Sequence, residues 1–478
     1  MRISPNLRVA FVIGLQAVLA VSCNPNAMQE PSAGQSPTTE PVPPATRSPT
    51  AAHTAVTLYP VDTPTATPSP YPEALYVQTD RPLGEISPLI YGTNYGPWQN
   101  LSRRVTPDLQ AAGIRLLRYP GGAWGDEYTF VEGRLDEFIE LAEDLGAEPM
   151  VNVKLKSATP ESAAKVVRYA NVEKQYGIRY WAVGNEPDLY DMKYQMTDYD
   201  TEIFNREWRA LATAMREVDP SILLIGPETS QFTGDPQTDP ADRAGRDWLR
   251  AFLRANGDLV DIVSVHRYPF GATDVAVSDL RDNSAEWDSI IPRLRYIVHN
   301  ELGRDLPIAV TEVNSNWSNR EGEEATPDSF YNAIWYADVL GRLARQRVDL
   351  AAHFCLEGAG GLGMTSLSAI RPIKYVFDMY SRFGSELVYA SSDTEYVNIY
   401  AAKTADGSLT LMVINMDSKD ISKMLRIEGM AYQTAAETWR FDSMHNAEQI
   451  ADTAFHGQTT VDFPAESVTL FILRQAVP

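Results

Sequence analysis

From residue 86 onward, short apolar runs alternate with longer stretches in which apolar positions recur every three or four residues. The runs are ISPLIYGTN (86–94), GIRLLRYP (113–120), EPMVNVK (148–154), IRYWAVGNE (178–186), ILLIGPE (222–228), LVDIVSVHRY (259–268), PIAVTEVN (307–314) and DLAAHFCLE (349–357). Their length and β-branched content predict buried strands. Between them, LDEFIELAEDLG (135–146), ESAAKVVRYANVEKQYG (161–177) and FNREWRALATAMREVDP (204–220) have helical periodicity. Asp219-Pro220 predicts the end of the last, because proline pushes the residue before it out of the helical region. Eight strand–helix repeats over about 290 residues predict an α/β fold, a (β/α)8 TIM barrel over residues 73–384. A doubly wound open sheet shares this periodicity, since periodicity does not report closure.

Beyond Gly384 the period changes to two, in LVYASSDTEYVNIYAAKTADGSLTLMVINMD and SVTLFILR, with Ala405-Asp406-Gly407 as a turn between two runs. Residues 385–478 are therefore read as a C-terminal antiparallel β-sandwich. ALYVQTD (74–80), just ahead of the barrel, has the same character and is a candidate partner strand for it. No long internal repeat stands out.

The N-terminal end follows neither pattern. Arg2 and Arg8 bracket the start of an apolar stretch, Val9 to Val21, too short to span a bilayer comfortably. It ends Ala20-Val21-Ser22-Cys23, which resembles a bacterial lipobox, so residues 1–23 read as a lipoprotein-type signal peptide with Cys23 as the lipidation site. An ordinary cleaved secretory signal is the alternative. Residues 24–72 hold twelve of the chain's 32 prolines among Ser and Thr, a composition that buries nothing and favours extended backbone. They are expected to be a disordered linker. The protein is accordingly expected to be exported, held at the membrane by a lipid on Cys23 or else secreted.

Composition narrows the chemistry. With 63 acidic against 41 basic side chains the net charge is −22, which opposes nucleic acid and anionic membrane surfaces as partners and suits a neutral ligand. Two cysteines exclude a disulfide scaffold, and six histidines without an HExxH pattern leave no zinc signature, so no metal or cofactor is expected. Nothing in the sequence reports the oligomeric state.

Barrel enzymes build their sites at the C-terminal ends of the strands. There the fourth run ends Trp181-Ala182-Val183-Gly184-Asn185-Glu186-Pro187, and the seventh Ile308-Ala309-Val310-Thr311-Glu312. Counting by two puts Ala182, Gly184 and Glu186 on one face, and Ile308, Val310 and Glu312 on one face. A carboxylate closing an apolar run is costly to desolvate and needs a task or a partner. Two of them suggest paired-carboxylate glycoside hydrolysis; salt-bridged strand-end glutamates are the plainer alternative for either one alone.

At these residues the chain resembles the clan A retaining glycoside hydrolases. Arg118-Tyr119-Pro120-Gly121-Gly122, DEFIELAEDLGAEPMVNV (136–153), TPESAAKVVRYAN (159–171), RYWAVGNEPD (179–188) and VDIVSVHRY (260–268) are most similar to family 51, the arabinofuranosidases, with families 39, 44 and 79 sharing parts of the pattern. The resemblance implies Glu186 as general acid/base and Glu312 as nucleophile. It also implies that Asn185 hydrogen-bonds a sugar 2-hydroxyl and that one ring of the pair His266 and Tyr268 supports the nucleophile; Arg118 can hold Glu312 ionised or serve as an internal ion-pair partner. With the two carboxyls about 5–5.5 Å apart they should share a proton, carried by Glu186. Departures from family 51 are Thr311-Glu312-Val313-Asn314 around the nucleophile and Phe354-Cys355-Leu356-Glu357 where clan A enzymes often carry tryptophan.

Trp98, Trp124, Tyr128 and Trp317 lie just past strand ends, where aromatic rings can stack on sugar faces or simply pack in the core. Gly358-Ala359-Gly360-Gly361-Leu362-Gly363 spells GxGxxG but follows the last strand, so a loop over the site is expected and not a dinucleotide cradle. Glu228 and Glu357 are the next carboxylates in line. The expected substrate is a plant-type polysaccharide or its oligosaccharides. The competing readings are an endo-acting β-glucanase or xyloglucanase, and an inactive carbohydrate-binding surface lipoprotein.

Overall fold

The computed structural model describes residues 69–97, 99, 101–271, 275–318, 320–358, 360–429, 431–456 and 458–475. The leader with Cys23, the linker as far as residue 68, and Trp98 lie outside the described residues.

After β1 (Ala74–Glu85), each of the eight apolar runs supplies one strand: β2 (Gly92–Asn94), β3 (Leu116–Tyr119), β4 (Glu148–Val153), β5 (Tyr180–Val183), β6 (Leu223–Thr229), β7 (Ile262–Arg267), β8 (Ile308–Val313) and β9 (Leu350–His353). They close into a barrel in chain order, with β2 parallel to β9 completing the ring, so the open-sheet alternative falls. All but β6 are shorter than their runs. The first run opens instead with a 3-10 turn, Pro88–Ile90, because Pro88 has no N–H to give a ladder and the Ser87 hydroxyl caps the turn at Leu89 N.

Strand parity sorts the side chains into two layers. Leu116, Met150, Tyr180, Ala182, Ile225, Ile262, Ala309 and Leu350 fill the barrel. Leu117, Tyr119, Trp181, Val183, Val263, Val265 and Val310 pack outward with the helices. Burying a large apolar side chain contributes about 1.5–3 kcal/mol, against about 1 kcal/mol for a helix cap, so these layers dominate the stability. Caps still decide where helices begin. Thr159 accepts from Ser162 N, and Asp200 from Glu202 N and Ile203 N, so Pro160–Val167 and Thr201–Val218 start one to three residues before the apolar periodicity does. Asp219 is extended and ends the latter, as Pro220 requires. The 161–177 stretch is α-helical only to Val167 and continues as a wider π turn, Arg168–Glu173.

After β9 come a small hairpin, β10 (Thr365–Ser366) and β11 (Ala369–Ile370), and then β12 (Glu386–Ser391), β13 (Val397–Lys403), β14 (Leu409–Asn415), β15 (Ile421–Glu428), β16 (Ala435–Phe441), β17 (Asn446–Ala454), β18 (Gln458–Phe463) and β19 (Ser467–Leu473). The sheet order is β17-β16-β19-β14-β13-β12-β1-β15-β18. The strand ahead of the barrel thus lies inside the C-terminal sheet, antiparallel to β12 and parallel to β15, and the sheet is mixed at that one pairing. One face forms its own core, with Leu75, Val77, Ile399, Leu411, Val413, Leu425, Phe463 and Phe471. The other face, with Tyr400, Met412 and Leu470, joins the barrel's core. Between them runs the helix Phe330–Arg345, buried from Tyr331 to Ala344. Gly341 allows that contact, since a Cβ there would stand 2.2 Å from the Tyr400 ring; the Tyr400 hydroxyl donates to Asp338 Oδ1 at 2.7 Å.

Candidate active site

β5 ends at Val183, and both Gly184 (φ 81°) and Glu186 (φ 50°) are left-handed. Glu186 is therefore not the next inward position of an extended strand, as counting from Ala182 implies. The chain turns over, and Glu186 N donates to Glu228 O at 2.9 Å. On β8 the count by two fails outright: Ile308 and Val310 face the helices, and Ala309 the interior. Glu312 reaches the site because the pairing with β7 slips by one residue. Val265 opposes Val310 but His266 opposes Glu312, leaving Thr311 as a bulge, and a one-residue slip reverses the face. A second bulge, where Pro227 and Thr229 oppose Ser264 and Val265, presents Glu228 at φ 59°.

Two of these carboxylates, Glu228 and Glu312, meet at Arg118, which is inward on β3 and fully buried. Its Nη1 donates to Glu312 Oε1 and Asn94 Oδ1, both at 2.8 Å. Its Nη2 donates to Glu228 Oε2 at 2.6 Å and Asn185 Oδ1 at 2.9 Å. Glu312 also accepts from Gly122 N at 3.0 Å and from the Tyr268 hydroxyl, on Oε2, at 2.8 Å. His266 touches all three: Nδ1 lies 3.2 Å from Glu186 Oε1 and 3.7 Å from Glu312 Oε2, and Nε2 lies 3.4 Å from Glu228 Oε2. Lys193 forms an ion pair with Glu186 Oε2, and the Thr311 hydroxyl donates to Glu228 Oε1 at 2.8 Å.

Taking this many charges out of water costs several kcal/mol per ion, so near-complete pairing is a condition of the site's existence. Burial alone would lower the His266 pKa, but Glu312, Glu186 and Glu228 push it up to about 10. Burial would raise Glu228, yet Arg118 and His266 bring it down to about 2. Glu186 follows the same logic: burial raises its pKa, Lys193 and His266 outweigh burial, and the carboxyl is held well below its ordinary range. The shared-proton expectation counted two carboxylates only. With Lys193 and His266 beside it, Glu186 rests ionised.

Glu186, His266 and Glu312 each bring one potential metal-ligand atom within 4.8 Å of the others. A divalent ion there would face Arg118, Lys193 and a charged His266, and would compete for oxygens that already accept hydrogen bonds. The donor set suits proton exchange better than metal binding.

Among the site residues that the sequence reading missed are Asp126 and Asn152. Buried Asp126 accepts from Asn185 N at 2.7 Å, Leu155 N at 2.9 Å and Lys156 N at 3.1 Å, which fixes the loop that carries Asn185 and Glu186. Asn152, inward on β4, has neither amide atom partnered, and Asn185 Nδ2 is likewise buried without a partner. Gly125 lies against the Asn152 amide and the Asn185 Cβ. Asn152 could have been found by the criterion that picked Glu186, a polar residue ending an inward row that starts at Met150. Asp126 and Lys193 gave no such signal, since both come from helical segments between strands.

Trp124 is 36% exposed and Trp317 56%, the latter against Gly271 on the loop after β7. Tyr128 instead packs edge-on to Tyr119. Where a tryptophan was looked for, the Phe354 ring stands perpendicular to Tyr268 with centroids 6.3 Å apart. Glu357 accepts from Thr365 and from Leu367 N of the β10–β11 hairpin. The glycine-rich segment follows β9 and bonds to β10, Gly358 N to Thr365 O at 3.1 Å, without opening a helix.

Comparison with known proteins agrees with this fold. The family model for glycosyl hydrolases family 39 matches residues 174–415, which carry Glu186, Glu228, His266 and Glu312. A probable alpha-L-arabinofuranosidase C of Aspergillus fumigatus is 24% identical, over 80% of this chain and 91% of its own. Among solved structures, CelM2, a bifunctional glucanase-xylanase from a metagenome library, superposes with a TM-score of 0.67 at 20% identity over 84% of this chain and 99% of its own. The alpha-L-arabinofuranosidase of Thermotoga maritima gives 0.66 at 18% identity over the same shares. Arabinofuranosidase-like relatives and the carboxylate-bearing barrel put the chain in clan A, and the match across half its length means that it belongs to family 39 of the glycosyl hydrolases.

Proposed function

We propose that the protein is a retaining glycosidase of α-L-arabinofuranosidase type, working by double displacement with Glu312 as nucleophile and Glu186 as acid/base. The observation that carries this is the approach of the two carboxylates, an oxygen of each within 4.8 Å of the other. That spacing leaves no room for the water an inverting enzyme activates between carboxyls about 6.5–9.5 Å apart, and suits direct attack on the sugar. The three donors converging on Glu312, from Arg118, Gly122 N and Tyr268, suit a carboxylate that attacks the anomeric carbon. Glu186 protonates the departing oxygen and then deprotonates the water that releases the sugar. The unpartnered amides of Asn152 and Asn185 are donors and acceptors for sugar hydroxyls. The substrate is an arabinose-decorated plant polysaccharide or its oligosaccharides, and the enzyme works outside the cytoplasm, tethered by lipid on Cys23. The exposed Trp124 and Trp317 favour a second reading, an endo-acting β-glucanase or xyloglucanase, in which they stack along a longer chain.

Azide rescue tests the assignment. In Glu312→Ala, azide in the vacated space should restore turnover with inverted configuration. In Glu186→Ala, activated aryl glycosides should still glycosylate Glu312, and azide should give product of retained configuration. Natural substrates should lose about 10²–10⁴-fold, the usual worth of general acid–base assistance. Near-wild-type rates in both variants would move the pair elsewhere, with Glu228 next, and azide products of the opposite configurations would exchange the two roles. Absence of turnover by the wild type across an aryl glycoside panel would instead favour a binding protein.

A further inference from the structure

Both oxygens of Glu186 are occupied, and by unequal partners. Oε1 faces His266, which is fully buried on a barrel strand and held from its other nitrogen by Glu228. Oε2 faces Lys193, whose side chain is 17% exposed and stands on the short helix Tyr190–Tyr194, beside the exposed Met192. An acid whose two oxygens are both engaged by cations cannot reach a glycosidic oxygen until one cation moves. Of the two, Lys193 has the flexible stem, the solvent access and the smaller scaffold.

We propose that Lys193 is a positioning residue that keeps Glu186 ionised until the leaving group displaces it from Oε2; this rests on Glu186 being the acid/base. On displacement the ammonium withdraws still protonated, and Glu186 takes one proton from bulk water, which it then gives to the leaving oxygen. Once the leaving group has gone, Lys193 returns and favours the ionised base needed for the second step; the proton that Glu186 takes from the attacking water then passes to bulk solvent, balancing the one taken up before. The groups around Glu186 allow this. From its own loop come Lys193, Asp188 and Tyr194, from β6 Glu228, from β7 and its end His266 and Tyr268, from β8 Glu312, and from β3 Arg118 through Asn185. Among these Lys193 and His266 act directly on the Glu186 oxygens to lower its pKa, and only Lys193 can leave.

The test is the pH dependence of arabinose disaccharide and 4-nitrophenyl α-L-arabinofuranoside hydrolysis by the full chain and its Lys193→Met, Lys193→Gln and Lys193→Arg variants. The basic limb of kcat/KM reports the acid in the free enzyme, and that of kcat reports it in the complex. For the disaccharide, the wild-type kcat limb should lie above the kcat/KM limb. In Lys193→Met and Lys193→Gln the kcat/KM limb should rise by about 1–3 pH units, the effect of an adjacent opposite charge, and the two limbs should merge. Lys193→Arg should restore the wild-type separation. The nitrophenyl substrate, whose leaving group needs no acid, should show no such movement. An unmoved disaccharide limb in folded Lys193→Met and Lys193→Gln overturns the inference. If Glu186→Ala also lowers kcat/KM equally for both substrates, the acid/base assignment has failed; if it spares kcat/KM for the nitrophenyl substrate, only the role of Lys193 has.

Discussion

His353, at the end of β9, gives the cleanest link between a buried ring and bulk stability. It is 1% exposed, stands edge-on to Tyr336 with centroids 5.2 Å apart, and its Nε2 is 3.3 Å from Asn314 Nδ2. Its Nδ1 has no partner, and burial depresses its pKa to about 3. The folded protein therefore keeps this ring neutral at pH values where the unfolded chain, with an ordinary value near 6.5, takes up a proton. The unfolded state then binds more protons, so stability is fully present above about pH 6.5 and is lost as pH falls towards about 3. At 1.36 kcal/mol per pH unit for one proton, this group alone removes about 2–3 kcal/mol between pH 6.5 and 4.5. His353→Phe keeps an aromatic ring beside Tyr336 and removes the titration. At pH 7.5 the variant should be no more stable than the wild type, because Asn314 loses a partner and the larger ring crowds the slot. On acidification the two unfolding free energies, from urea titrations at half-unit steps, should converge by that 2–3 kcal/mol. Comparing the pair cancels groups such as Asp188 and Asp239, which burial raises to about 6 and whose contributions run the other way. A constant gap from pH 7.5 to 4.5 would refute the reasoning.

Two further outcomes follow from the carboxylate cluster. Arg118→Met leaves Glu228 and Glu312 buried beside each other without their shared cation, and breaking such a pair costs about 3–5 kcal/mol; thermal melts at pH 7 should register that loss together with loss of activity. Tyr268→Phe removes one hydrogen bond to Glu312 Oε2, worth about 1.5–3 kcal/mol to a charged group, so the melting temperature should fall; kcat/KM measured well below it should fall about 10–100-fold, and an unchanged kcat/KM would show that the hydroxyl has no part in the reaction.

The eight strands were legible because each is a short apolar run between punctuated helices, and the two glutamates that the fold brings together because each stands at the end of such a run. What pattern could not supply was how they reach the site. Glu312 arrives through the bulge at Thr311, and Glu186 through two left-handed residues, while counting by two assumes an unbroken extended strand. Bulges depend on pairing with a neighbour and leave no periodic mark on the strand itself. The protonation of Glu186 was misread for a related reason. Its pKa is lowered by Lys193 as well as His266, and Lys193 stands seven residues on in a helix, where nothing in the local pattern separates a site lysine from a solvated one. Glu228 was recognised as a carboxylate near the site, but its work of holding Arg118, His266 and Thr311 together emerges only in three dimensions.

The place of β1 bears on how the molecule is made. Tyr76 aligns with Ser391 and Leu75 with Leu425, so the first of the described strands to leave the ribosome waits for partners more than three hundred residues downstream. At about 5–20 residues per second of synthesis that is a delay on the order of tens of seconds. During it, a twelve-residue strand with Leu75 and Val77 on one face has both edges bare, a template for pairing with other chains. The barrel can close in that interval, but the sheet that seals its flank cannot. A chain threaded through a translocon amino end first would meet the same delay on the far side of the membrane, and yield there should depend on chaperones that shield this one strand.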